Sequence, residues 1–297
     1  MYQVDYLRDY IEHSELRIFK NRIKIKLAKS LAVKYDNGDY DNRLSDMCKY
    51  IDMINTLNIT YPSNANPTLY IYIVPDDRYV ELLKMPSKFD RGTGGGRPVM
   101  CYDLDGFTMA YGTSQNLFDK RPSITDIERE ENFIHEFAHL VMNQFASKDS
   151  MVSEGFAEAL PLYGLGLEEK FDKHRDIVVN LNEEDILSPK ELIEQEDNKT
   201  FGTTAITNGS CSFRHSYMSS YLFVRGVLEE LALKYNLTRE ESIKYFLNFI
   251  KSTGCTKEYL IFDIANELDY SPDELINTKV LQMKAIESIK NINTKTK

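Results

Sequence analysis

The sequence contains no tryptophan, only five histidines and only four cysteines in 297 residues. Cys48, Cys101, Cys211 and Cys255 are widely separated and form no C-x-x-C pair. This spacing argues against a structural zinc site built from thiolates and favours free, buried thiols. Because histidines are so few, a pair of them at a regular spacing is an informative feature.

Long apolar runs are absent as well. No run approaches the length needed to cross a membrane, and the first residues lack the basic start and apolar centre of a secretory leader. The formal net charge of −10 argues against nucleic acid or an anionic membrane as the main partner. We therefore predict no nucleic-acid partner, no membrane partner and a cytoplasmic location. A mature secreted enzyme that had lost its leader would have the same features.

The composition, with 42% apolar and 28% charged residues, is typical of a globular protein. The pattern along the chain predicts three regions: a helical N-terminal extension at 1–66, an upper α/β lobe at 67–147 and a helical lower lobe at 148–297. The first boundary follows from the proline- and asparagine-rich stretch at 61–67, which is typical of a linker.

Helices are predicted at 2–35 and 40–58, the first of them from an apolar stripe at helical spacing: Leu16, Phe19, Ile23, Leu27 and Leu31. Residues 68–74 alternate between aliphatic side chains and tyrosines, which predicts a buried strand. Residues 99–102 and 107–111 are predicted to form a hairpin. In the lower lobe a polar loop is predicted at 197–212, and helices are predicted at 189–196, 213–235, 239–251, 256–269 and 272–290.

The most informative stretch is His135-Glu136-Phe137-Ala138-His139, inside an amphipathic segment that predicts a helix from 125 to 144. Residues four apart lie on the same face of a helix, so His135 and His139 can bind one metal ion. Glu136 follows the first histidine and would lie beside a water on the open side of that ion. This is the H-E-x-x-H arrangement of zinc metallopeptidases.

A catalytic zinc ion needs a third protein ligand, and the segment Ser153-Glu154-Gly155-Phe156-Ala157-Glu158 can supply it. Glu154 and Glu158 are one turn apart on a predicted short helix that ends at Pro161. We expect Glu154 to bind zinc and Glu158 to accept the free N–H of a ligand histidine, which fixes its tautomer. Glu158 is the alternative third ligand.

This pair of motifs resembles the gluzincin metallopeptidases, the thermolysin-like and aminopeptidase-like branch of the zincins. S-E-G-F-A-E is similar to the E-G-x-A-E variant of many bacterial members. The resemblance covers residues 107–165 well and 217–228 more weakly. It implies an α+β fold with two lobes, a small mixed sheet and the H-E-x-x-H helix in the upper one and mainly helices in the lower.

The resemblance also has consequences for the site. Eighteen residues separate His139 from Glu158, the aminopeptidase spacing, whereas the fourteen before Glu154 are fewer than in the best-known branches. By the same resemblance, residues 107–111 would form the sheet edge that holds an extended peptide through backbone hydrogen bonds.

Peptide hydrolysis passes through an oxyanion that a tyrosine or histidine commonly stabilises. Tyr217 is similar to the tyrosine that related gluzincins carry at this point, and His215 and Tyr221 are its rivals. The sequence thus predicts a zinc metallopeptidase for peptide or protein substrates, with an endopeptidase preferred because no motif for a free amino terminus is recognisable. A zincin-fold binding protein without catalysis, and a zinc hydrolase acting on another carbonyl, are the alternatives.

Overall fold

The computed structural model describes residues 17–19, 23–27, 68–73, 97–99, 106–111, positions 131, 134, 135, 138, 139 and 142, and residues 150–208, 211–253 and 257–295. The chain divides into two compact units, Met1–Thr56 with Thr60–Leu140 and Leu57–Ile59 with Val141–Lys297. Within the described residues, no helix is both long and apolar enough to cross a membrane.

A five-stranded mixed sheet belongs to the first unit. Its strands are β1 (Arg17–Phe19), β2 (Ile23–Leu27), β3 (Thr68–Ile73), β4 (Arg97–Val99) and β5 (Gly106–Tyr111). Their order in the sheet is β1-β2-β3-β5-β4. The three inner strands run parallel, and both outer strands pair antiparallel with their neighbours. The predicted strand at 68–74 is confirmed, and the antiparallel pairing of β4 with β5 confirms the predicted hairpin. Of its first strand, predicted at 99–102, Val99 is described and belongs to β4.

The helix predicted at 2–35 is wrong where the structure describes this segment, because β1 and β2 are strands. In the sequence of β2, Ile23, Ile25 and Leu27 alternate with two lysines. A period of two with β-branched residues favours a strand, and Ile25 pairs with Ile71 of β3. The extension at 1–66 is therefore not wholly helical. The helix predicted at 40–58 lies outside the described residues.

The predicted position of residues 107–111 at the sheet edge is also wrong. β5 lies between β3 and β4 and pairs with both of them. The edge strand on this side is β4, which contains Pro98. Proline has no N–H to donate to a neighbouring strand, so it suits an outer position.

The second unit is mainly helical. Its helices are α1 (Ser150–Ala159), α2 (Asp172–Val179), α3 (Pro189–Asp197), α4 (His215–Tyr235), α5 (Arg239–Thr253), α6 (Lys257–Glu267), α7 (Pro272–Asn277) and α8 (Val280–Lys295). Shorter turns lie at Leu160–Gly164, Leu167–Glu169 and Glu183–Asp185. Helix α3 begins with a capping box, in which Ser188 and Glu191 each accept a hydrogen bond from the other's backbone N–H.

Three details of this unit differ from the sequence prediction. The polar loop predicted at 197–212 contains an antiparallel hairpin of β6 (Ala205–Asn208) and β7 (Cys211–Arg214). These strands are short and largely polar, so they lack the apolar alternation that identifies a strand. Helix α1 does not end at Pro161 but continues as a π-helical turn. The helix predicted at 272–290 is two helices, separated by Thr278 in extended conformation.

Helix α4 is the core of the second unit and packs against α1, α5 and α8. Most of its side chains are buried all around the helix, unlike those of a helix that lies on a surface. Small residues of α4 allow the neighbouring backbones to approach closely. At Gly226, an added Cβ would lie 2.4 Å from the backbone oxygen of Leu281 in α8.

Gly155 is a second point of close approach, and it lies in the E-G-F-A-E segment. A Cβ built on Gly155 would lie 2.4 Å from the backbone oxygen of Ser220 and 2.6 Å from the side chain of Val224. Because a backbone oxygen cannot move aside alone, only glycine allows α1 to lie this close to α4. The glycine of this segment thus sets the distance between α1, which carries Glu154, and the helix that carries Tyr217.

We expect Gly155→Ala to destabilise the protein. Replacing glycine with alanine inside a helix raises the free energy of unfolding by about 1 kcal/mol. The overpacking caused by the added Cβ lowers it by about 1–3 kcal/mol or more. At about 2–4 °C per kcal/mol, thermal denaturation should show a lower Tm. Gly164→Ala is the matched control, because the closest atom to its Cβ would be the end of the Ile243 side chain at 2.5 Å, while the nearest backbone oxygen lies at 3.8 Å. An unchanged Tm in Gly155→Ala would contradict the close packing.

Candidate metal centre

The H-E-x-x-H motif is helical at every position that the structure describes, including His135 and His139. The two Nε2 atoms face each other at 3.1 Å, and the imidazole rings are nearly perpendicular. His135 is buried and His139 is half-buried. The helical spacing that the sequence predicted therefore brings the two nitrogens together.

This geometry suits a zinc ion. Two nitrogens, each about 2.0–2.1 Å from a tetrahedral zinc ion, lie about 3.3 Å from one another. The observed 3.1 Å is close to that value, so little movement separates this arrangement from a metal-bound one. Without an ion, the same distance allows an N–H···N hydrogen bond between the rings. Glu136, the predicted general base, lies outside the described residues.

Glu154 and Glu158 lie one turn apart on α1, and both are half-buried. Glu154 lies beside Tyr217 of α4, and its negative charge contributes to a raised Tyr217 pKa, second to burial. One turn further along α4, the pKa of Tyr221 is raised by burial, then by the charge of Glu229 and then by that of Glu158. Each of the two glutamates of α1 thus acts on the pKa of one tyrosine of α4.

His135 and His139 belong to the first unit, whereas Glu154 and Glu158 belong to the second. The structure brings the two histidines together and, separately, brings Glu154 and Tyr217 together. That one ion joins Glu154 to both histidines stays a prediction from the sequence. The same holds for Glu158 as the support of a histidine or as the alternative ligand.

The three candidates for the oxyanion donor have different surroundings. Tyr221 is fully buried, its hydroxyl donates to Glu168 at 3.0 Å, and it accepts from Arg225 at 2.9 Å. The Nε2 atom of His215 lies 2.9 Å from the backbone oxygen of Asp185, to which it donates. Tyr217 is half-buried, and it is the candidate that lies beside Glu154, the proposed third ligand, so the geometry favours Tyr217.

A buried ionic network surrounds Tyr221, and no sequence pattern indicates it. Arg225 is 0% exposed and forms ion pairs with Glu168 and, at 3.0 Å, with Glu229. Ser288 of α8 donates to the same Glu229 oxygen at 2.7 Å. Glu168 and Tyr221 are 53 residues apart, so no local pattern could have linked them. Because leaving one of these charges unpaired is costly, the network fixes α4 relative to the turn at 167–169.

His174 of α2 lies against this network but has no role in the predicted metal centre. Its ring packs edge-on against Phe213 at 5.0 Å and against Tyr221 at 5.1 Å. Burial lowers the pKa of His174 to about 3, so this imidazole stays neutral at physiological pH. It therefore serves as a core side chain.

No family model and no curated protein matches this chain.

Proposed function

We propose that this chain is a zinc-dependent metallopeptidase in which His135, His139 and Glu154 hold the ion. The observation that carries the proposal is the 3.1 Å distance between the two imidazole Nε2 atoms, which suits two ligands of one zinc ion. When bound, zinc would polarise the scissile carbonyl and lower the pKa of a water to about 7. The proposed substrate is a peptide or protein, with internal cleavage preferred.

Glu136 is the proposed general base. It would accept the proton of the attacking water and return it to the leaving amine. Because Glu136 is not a ligand, a protein that only bound zinc would have no use for a carboxylate at this position. Its presence in the motif therefore favours hydrolysis over a purely structural or binding role.

Tyr217 is the proposed donor to the oxyanion. Burial, followed by the charge of Glu154, raises the pKa of Tyr217, so its hydroxyl keeps its proton at neutral pH. Arg214 donates to the phenol oxygen at 2.8 Å, and the Glu154 carboxylate is close enough to attract the phenol proton. A carboxylate that holds a cation attracts this proton less strongly, which would let the hydroxyl turn to the substrate oxygen.

The purified protein should contain about one zinc ion per chain by elemental analysis. It should cleave members of a diverse peptide library, a chelator should stop cleavage, and added zinc should restore it. His135→Ala is the matched variant, which should lose both the zinc and the cleavage. A wild-type protein that takes up no zinc from micromolar solution would refute the proposal. Bound zinc without any cleavage would instead favour a binding protein or a hydrolase of non-peptide substrates.

A further inference from the structure

We propose that Arg214 binds a carboxylate of the substrate, either the C-terminal carboxylate of a peptide or the side chain of an aspartate or glutamate. The inference rests on the proposed peptidase function and names a recognition element of the same site. Arg214 is the last residue of β7 and immediately precedes α4. Its side chain is exposed and can therefore reach a ligand.

The guanidinium of Arg214 is held in place by its neighbours. Its Nη1 atom donates to the Tyr217 hydroxyl at 2.8 Å, and its central carbon lies 4.9 Å from the centroid of the Tyr217 ring. Phe201 packs against the same ring at 5.7 Å. The backbone N–H of Gly202 donates to Ser216 at 2.7 Å, which attaches the Phe201 segment to α4. A side chain fixed in this way loses less entropy when it binds a ligand.

The position of Arg214 relates it to the proposed metal centre. Tyr217 accepts from Arg214, and the charge of Glu154 acts on the same tyrosine, where α1 and α4 approach closely at Gly155 and Ser220. The guanidinium is therefore near the proposed third zinc ligand. A peptide whose scissile bond reached the ion held by Glu154 would pass close to this positive charge.

Within the described part of the chain, no carboxylate forms an ion pair with Arg214. The other arginines whose side chains are described each pair with a carboxylate: Arg175 with Asp172, Arg225 with Glu168 and Glu229, and Arg239 with Glu169. A guanidinium has five N–H donors, and Tyr217 accepts from only one nitrogen of Arg214. The remaining donors form a planar fork that matches a carboxylate.

The test uses one peptide library made in three forms. The first has free C-terminal carboxylates, the second has C-terminal amides, and the third has amides with asparagine and glutamine in place of aspartate and glutamate. In the zinc-loaded wild type, we expect kcat/KM to be about 10- to 100-fold higher when the carboxylate is present. Arg214→Gln should remove this preference. Comparing kcat/KM between the first and second forms tests recognition of a C-terminal carboxylate. Comparing it between the second and third forms tests recognition of an aspartate or glutamate side chain.

Binding gives a readout that needs no turnover. The same peptides, titrated into the Glu136→Gln protein by calorimetry, should have a Kd about 10- to 100-fold lower with the carboxylate than without it. Adding Arg214→Gln to that protein should make the two Kd values equal. Arg214→Lys, which keeps the charge but loses the fork, should keep part of the preference.

Arg239→Gln is the matched control, because Arg239 also lies over a tyrosine ring but already pairs with Glu169 at 3.4 Å. It should leave the carboxylate preference unchanged. If Arg214→Gln lowered kcat/KM equally for all three forms, Arg214 would only position Tyr217 and the inference would be wrong. A wild type without any carboxylate preference would also overturn it. Failure of the zinc-loaded wild type to cleave any form would refute the proposed function itself.

Discussion

Glu136→Gln should abolish peptide cleavage while leaving the zinc bound and the fold intact. The amide has nearly the shape of the carboxylate but cannot accept the proton of the attacking water. General-base assistance of about 10²- to 10⁴-fold should therefore be lost from kcat. Because Glu136 is not a proposed ligand, the zinc content should stay at the wild-type value.

The measurement combines kcat on a library-derived peptide with elemental analysis of the same sample. His135→Ala gives the contrasting result, because it should lose zinc and turnover together. Glu169→Gln is a control for the loss of one carboxylate, since Glu169 is exposed and pairs with Arg239. If the Glu136→Gln protein turned over at nearly the wild-type rate, another group would have to be the base.

The sequence predicted the elements of the site best where the relevant residues are close together in the chain. His135 and His139 are one helical turn apart, and the structure brings their Nε2 atoms to 3.1 Å. The segment with Glu154 and Glu158 was predicted to be helical, and it lies in α1. In both cases helix geometry alone determines which side chains share a face.

Prediction failed where two patterns fit the same residues or where the contact is distant in sequence. Phe19, Ile23 and Leu27 recur every four residues, which predicts a helix, but Ile23, Ile25 and Leu27 also recur every two and belong to β2. The choice between these patterns depends on the pairing of β2 with β3, far along the chain. The Arg225–Glu168 pair was missed for the same reason, since only the packed fold brings these charges together.

Glycine in E-G-F-A-E is an intermediate case. The sequence offered Gly155 as part of a resemblance, but its physical role needs the partner helix. Only the packing of α1 on α4 places a backbone oxygen of Ser220 where a Cβ would be. The same packing sets Glu154 beside Tyr217 and Glu158 near Tyr221. A motif can therefore identify residues before it is known which contacts require them.

The zinc affinities of two alanine variants should distinguish the roles of the two glutamates of α1. We expect Glu154→Ala to lose zinc almost as severely as His135→Ala, because two histidines alone leave the ion without its third ligand. Glu158→Ala should weaken zinc affinity by only about 10- to 100-fold, as expected for a group that orients a ligand. Competition with a chromogenic chelator of known affinity measures both changes.

Folding must be separated from metal binding in this comparison, because both carboxylates lie where α1 packs on α4. Far-ultraviolet circular dichroism of each metal-free variant should match that of the metal-free wild type. Glu169→Ala is the control carboxylate, since Glu169 belongs to the same unit but lies outside α1. Glu158 lies close enough to Tyr221 to affect its pKa, so a neutral replacement there also changes the charge beside the Arg225 network. If Glu158→Ala nevertheless lost more zinc than Glu154→Ala, the third ligand would be Glu158 and the spacing would be that of the aminopeptidases.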